Sequence, residues 1–135
     1  AKEGFNEEEK ARAVAFWNKL NNNMPEWQQV QNKSLAAQEF RKEFISAHGI
    51  GLQAIATVGN CLLNLDEKQQ NGYIEKLGKV NWLKSNPAWA NRAMQHGRLS
   101  KAVSNIFLTA IQIKREIGLA PTPEEVEKEN KLLNA

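Results

Sequence analysis

The 135-residue sequence contains one cysteine, Cys61, two histidines and a single aspartate, Asp66. One thiol cannot build an internal disulfide framework or a cysteine-rich zinc site, and it fits a reducing compartment. So few histidines and aspartates leave little material for a hydrolytic triad or a metal cluster, and no glycine-rich phosphate loop is present. An enzyme with its active site wholly inside these residues is therefore not expected, and neither is a cofactor or a metal. Strand-like alternation of useful length is missing too, as are internal repeats and low-complexity linkers. The N-terminus is acidic and lacks the apolar core of a secretory signal.

The run from Phe44 to Leu65 has no Asp, Glu, Lys or Arg. It exceeds the ~18 residues that mark a membrane-spanning candidate. It also contains Ser46, His48, Gln53, Thr57, Asn60 and Asn64, which are costly in lipid without partners. The run therefore reads as the buried central helix of a bundle outside the membrane. On that reading Cys61 is a small buried hydrophobe and His48 a buried, hydrogen-bonded histidine.

A second shortage is of acidic residues in one window. The net charge is only +3. Residues 1–75 hold 8 basic and 10 acidic side chains, net −2, and residues 116–135 hold 2 basic and 5 acidic, net −3. Residues 76–115 hold 8 basic side chains (Lys76, Lys79, Lys84, Arg92, Arg98, Lys101, Lys114, Arg115) and no acidic one, net +8. A basic segment between acidic flanks points to an anionic partner for the middle of the chain.

The periodicity is helical along the whole chain. Asn6, with Glu9 three residues on, has the spacing of a capping box. Ala13, Phe16, Trp17, Leu20 and Met24 then make one apolar face, which the Asn21-Asn22-Asn23 run should end. Pro25 suits the first position of a short helix. Ser34 is a candidate cap, Gly49 and Gly51 should break or kink the pattern, and Gly59 in mid-helix implies close packing. Asp66 can cap a further helix that stops near Gly78. Pro87 can begin a short helix, which Gly97 breaks. Ser100 can cap a long helix from Lys101 to Ile117, with Gly118 as its stop. Thr122-Pro123-Glu124-Glu125 has the residues of a strong helix start. The expected fold is all-α, a single helical bundle of about six helices filling one domain over residues 1–135.

Phosphate binding needs Arg and Lys held on rigid elements. Lys84, Arg92, Arg98 and Lys101 are the candidate phosphate contacts, and Asn91, Gln95 or Asn105 could reach base edges. Gly97-Arg98-Leu99-Ser100 reads as a glycine break followed by a helix N-terminus, where Lys101 would meet an unfavourable macrodipole that an anion relieves. The run from Pro87 to Ile117 then has the dimensions of a helix-turn-helix reader. Trp82 and Trp89 read as core. The alternative is a helical protein-interaction or oligomerisation module without DNA contact, using the uncharged 44–65 segment and any exposed part of the two tryptophans.

An ordered series of motifs resembles a known family. His48-Gly49-Ile50-Gly51-Leu52-Gln53-Ala54-Ile55 with Val58-Gly59, then Asn81-Trp82, Asn86-Pro87-Ala88-Trp89 and Arg92-Ala93-Met94 lead into Gly97-Arg98-Leu99-Ser100-Lys101. Leu108-Thr109-Ala110 and Gly118-Leu119 before Thr122-Pro123-Glu124-Glu125 complete it. The series is similar to the bacterial DNA sulfur-modification protein B family (DndB, the DGQHR-domain group) over about residues 41–126. The resemblance implies a role in phosphorothioation, in which sulfur replaces a non-bridging phosphate oxygen of DNA. It implies a regulator of the modification genes that binds double-stranded DNA, in the cytoplasm at the bacterial nucleoid. It also implies that these residues are the C-terminal helical part of a longer protein. Its missing N-terminal domain, or other DNA sulfur-modification proteins, would be further partners, with homo-oligomers left open. The name-giving Asp-Gly-Gln-His-Arg string does not occur here, and Asn81 stands where the family pattern favours an acidic residue before the tryptophan.

Overall fold

The computed structural model describes residues 7–134, so the expected cap at Asn6 lies outside the described residues. Among them, seven α-helices run in the order α1 (Glu7–Asn23), α2 (Pro25–Gln31), α3 (Ala37–Glu43), α4 (Gly49–Leu62), α5 (Glu67–Lys79), α6 (Val103–Glu116) and α7 (Pro123–Leu133). Single 3-10 turns occupy Ile45–Ala47 and Pro87–Trp89, and a two-stranded antiparallel hairpin, β1 (Met94–Gln95) with β2 (Arg98–Leu99), precedes α6. The all-α expectation holds, and this hairpin is the departure from it. None of the described helices is long and apolar enough to cross a membrane.

Local chemistry sets most of the boundaries. Asp66 caps α5, its Oδ1 accepting from the Gln69 amide at 2.8 Å. Thr122 and Glu125 form a reciprocal capping box at the start of α7. The triple asparagine ends α1, where the Asn23 side chain donates to the Lys19 carbonyl at 2.8 Å. Gly118, at φ +79°, terminates α6: its amide donates to the Arg115 carbonyl, and the Leu119 amide to that of Lys114. This is the Schellman pattern expected of a glycine stop.

Three boundaries differ from expectation. Ser34 caps nothing; α3 begins after Ala36. The break between α3 and α4 falls at Phe44–His48, ahead of Gly49 and Gly51, which lie inside the first turn of α4. Helix α5 ends at Lys79, next to the expected stop at Gly78. Helix α6 begins after Ala102 rather than after Ser100. The Ser100 amide instead donates to the Ala93 carbonyl at 2.8 Å and extends the hairpin ladder.

The core gathers the inward faces of α1, α4, α5 and α6 around Leu20, Ile55, Leu62, Ile74, Leu77 and Ile113. Trp82 and Trp89 are fully buried in it, as expected, with their rings stacked 5.5 Å apart and 7° from parallel. Each indole N–H is satisfied, donating to the Leu77 and Asn81 carbonyls respectively. The close approach expected at Gly59 is present: a Cβ there would meet the Phe16 ring at 2.6 Å. Only one face of α4 is buried, however. Leu52, Gln53, Ala56, Thr57, Asn60 and Cys61 are exposed. The expectation of a wholly buried segment with an inert, buried Cys61 is thus corrected, because α1 and α6 cover just one side of that helix. His48 is partly exposed, with Nε2 2.6 Å from the Arg41 carbonyl.

Candidate nucleic-acid interface

The region expected to form helix, glycine break, helix is built differently. After the 3-10 turn Pro87–Trp89, which Asn86 caps by accepting from the Ala88 amide, the chain reverses through His96 and Gly97. These two consecutive residues have positive φ, +52° and +77°. Two such residues make a turn whose twist matches that of a hairpin. Gly97 adopts this conformation without steric cost, and histidine is among the side chains that tolerate it. The hairpin presents Gln95, His96, Gly97 and Arg98 to solvent. A helix-turn-helix reader is therefore absent, because the residues before α6 pair as strands.

A hairpin with two-residue strands is not stable alone, and two of the expected DNA contacts hold it from beneath. Asn105, buried on α6, donates from Nδ2 to the Arg92 carbonyl at 2.7 Å and to Gln95 Oε1 at 2.9 Å. The Arg92 side chain, only 12% exposed, turns inward from the hairpin and donates to the Leu108 carbonyl at 2.8 Å and to Glu129 at 2.7 Å. Arg92 and Asn105 are among the expected DNA contacts, but Arg92 Nη1 and Asn105 Nδ2 are engaged inside the fold instead.

The other five expected contacts lie at the surface or near it, Gln95 on β1 among them. Arg98 is exposed on β2, and Lys101 is exposed between the hairpin and α6. Asn91 is exposed in a left-handed conformation, φ +61°, its amide donating to the Met94 carbonyl at 2.7 Å. Lys84 is partly exposed and donates to the Arg41 carbonyl at 2.7 Å. An ammonium has three donors, so this bond positions Lys84 without exhausting it. The same carbonyl is the partner of His48.

Two shallow concavities flank the hairpin. One, of about 220 Å³, brings together Lys84, Asn91 and His96. The other, of about 260 Å³, brings together His48, Gly49, Ser100 and Lys101. The second contains the start of α4, which no side chain caps, so first-turn amides there keep donor capacity. Asn81 forms a local turn, its Oδ1 accepting from the Leu83 amide at 3.1 Å. That needs only a side-chain oxygen, which Asn supplies as well as an acid.

The acidic C-terminal flank pairs with three cations of the basic window. Glu129, 4% exposed on α7, accepts hydrogen bonds from both Arg115 and Arg92. Lys114 Nζ lies 2.8 Å from Glu125. The Arg115 guanidinium holds the Glu129 carboxyl below the usual carboxylate range, against burial and with help from Arg92, and Arg115 is in turn pushed up by that bond. For Glu125, burial pushes the pKa up, but the Lys114 ammonium and the Thr122 amide outweigh it and leave it lowered. Lys76, Lys79, Lys84, Arg98 and Lys101 have no ion-pair partner among the described residues. The two carboxylates were invisible to a charge count by segment, since pairing across α6 and α7 depends on the fold. The hairpin did leave a sequence signal, a turn-forming X-Gly pair (His96-Gly97) beside residues of strand-compatible type.

The fold and this face together define an all-α protein that carries a cationic β-hairpin in front of a core helix. The chain belongs to the DndB family, described as DNA-sulfur modification-associated, whose model matches residues 1–120. The match thus reaches further toward the N-terminus than the resemblance by motifs, and α7 lies beyond it. No curated protein and no solved structure matches the chain.

Proposed function

We propose that this chain is a DNA-binding regulatory module of DNA sulfur modification, acting on transcription of the modification genes. The observation that carries the reading is the hairpin: Arg98 projects from a turn flanked by Lys84 and Lys101, and Arg92 and Asn105 anchor that turn from within. Phosphate contacts position a protein on the duplex and base contacts specify the site. Lys84, Arg98 and Lys101 take the first role. Asn91 and Gln95, beside the turn, take the second, as a two-stranded ribbon can enter a groove. No catalytic step belongs to this role. Double-stranded DNA is the partner, in the cytoplasm, and other DNA sulfur-modification proteins or a second copy of the chain would assemble around it.

A titration of duplex DNA carrying the promoter of the modification genes, over a series of salt concentrations, tests this reading. The expected slope of log affinity against log salt is about −0.9 for each phosphate neutralised, and Arg98→Ala and Lys101→Ala each reduce its magnitude by about one. Arg92→Ala is expected to act through stability instead. Undetectable binding at low salt, or a slope indifferent to Arg98 and Lys101, removes the proposal.

A further inference from the structure

The concavity that contains Lys101 also contains Gln53, and Gln53 lines a second, larger cavity of about 650 Å³ on the other side of it. That volume is within the range of small-molecule sites, although the hollow is largely open to solvent. Its walls come from α1, α2, α3, α4 and the turn between α3 and α4. Trp17, Trp27, Phe40 and Leu52 are among its lining residues, and no charged residue contributes to it. The Trp17 and Trp27 rings lie 6.4 Å apart and 21° from parallel. Trp27 is fixed by an indole N–H donated to the Ser46 carbonyl at 3.3 Å, and Ser46 in turn donates from its hydroxyl to buried Glu26 at 3.1 Å. The aromatic wall is therefore held in place before any ligand arrives. The Gln53 side-chain amide makes no hydrogen bond among the described residues, and the Asn21 side chain bonds through Oδ1 alone, accepting from Gln31.

An uncharged aromatic cavity with free amide groups thus adjoins a notch that carries Lys101 and Ser100. A nucleotide has the same division: a neutral, planar base with hydrogen-bonding edges, joined to an anionic phosphate. We infer that this cavity takes one unpaired nucleobase of a DNA strand, with the adjoining phosphate at Lys101. Base stacking on aromatic side chains tolerates any base, so the pocket would sense the unpaired state rather than the sequence. The inference rests on the proposal that this face meets DNA.

The test compares a single-stranded oligodeoxynucleotide, the same strand with abasic positions, and the duplex, each titrated against the full chain. The wild type is expected to prefer the base-bearing strand over the abasic one by about tenfold or more. Leu52→Glu, at a position 36% exposed, puts a charge into the cavity and is expected to abolish that preference while leaving duplex affinity unchanged. Gln53→Glu, also at an exposed position, provides a second variant should the first fail to fold. Equal affinity for the base-bearing and abasic strands, or a preference that survives both variants, overturns the inference; intact duplex binding in that case keeps the proposed function and leaves the cavity to a protein partner. A base preference without duplex binding supports the pocket and removes the duplex reading instead.

Discussion

Arg92 and Arg98 carry the same side chain in one basic window, yet their roles diverge because of a residue far along the chain. Glu129 sits on α7 and captures Arg92, while Arg98 has no carboxylate partner among the described residues. Residue type and local spacing could nominate both but could not separate them. Asn105 is a similar case: a helical asparagine next to the hairpin reads as a base contact until its amide is found bonded beneath the turn. Glu26 escaped notice at the level of sequence because its neighbours in the chain are ordinary. It is buried, and burial pushes its carboxyl up, against the hydrogen bond from Ser46. The folded state therefore holds a proton that the unfolded chain releases. The resulting stability is full below the ordinary carboxylate range and is lost as pH rises through the raised value. Glu26→Gln is expected to stabilise the protein by about 1 kcal/mol near neutral pH, worth about 3 °C in Tm. It should change little near pH 4. Thermal melts of both proteins across that range check it, and an equal shift at both ends would refute a protonation origin.

Among the elements, the helices were legible where side chains act locally. Asp66 and the Thr122–Glu125 box cap through bonds spanning three residues, and Gly118 ends α6 through its own backbone. The hairpin was not legible, since two-residue strands offer no alternation to count and His96 is a weaker turn signal than the asparagine usual there. The positive φ of its turn yields a test separable from the contacts beneath it. A Cβ at Gly97 would meet nothing within 4 Å, but its φ of +77° strains any L side chain. Gly97→Ala is expected to cost on the order of 1 kcal/mol locally. It should weaken cross-strand NMR contacts between Met94 and Leu99 and lower DNA affinity, with the global melt almost unmoved. A variant with an intact hairpin spectrum and unchanged affinity would show that the turn geometry is immaterial.

Across the whole molecule, the +8 of residues 76–115 overstates the charge available to a partner. Three of its eight cations are consumed by Glu125 and Glu129 of α7, leaving five without a paired carboxylate among the described residues. A count along the chain shows the asymmetry but not its partial cancellation, which only the packing of α7 on α6 produces. Removing one partner of a buried ion pair costs about 3 kcal/mol because the other is left uncompensated. Glu129→Gln is expected to lose that much at neutral pH. Glu129 and Glu125 both have lowered pKa values, so their stabilisation is full above the ordinary carboxylate range and fades as pH falls through the folded values. The gap between wild type and variant should therefore close in acid, as read by denaturant midpoints over pH. A gap constant down to strong acid would mean that Glu129 acts by packing alone.

The stacked Trp82–Trp89 pair has an optical consequence. Its two indole planes lie close and almost parallel within the core, so the pair responds to the integrity of that core rather than to events at the surface. Trp17 and Trp27 sit on the cavity wall and are open to added solutes. Half of the molecule's indoles thus report on the core and the other half on the cavity wall, so emission changes from the two pairs have different structural origins.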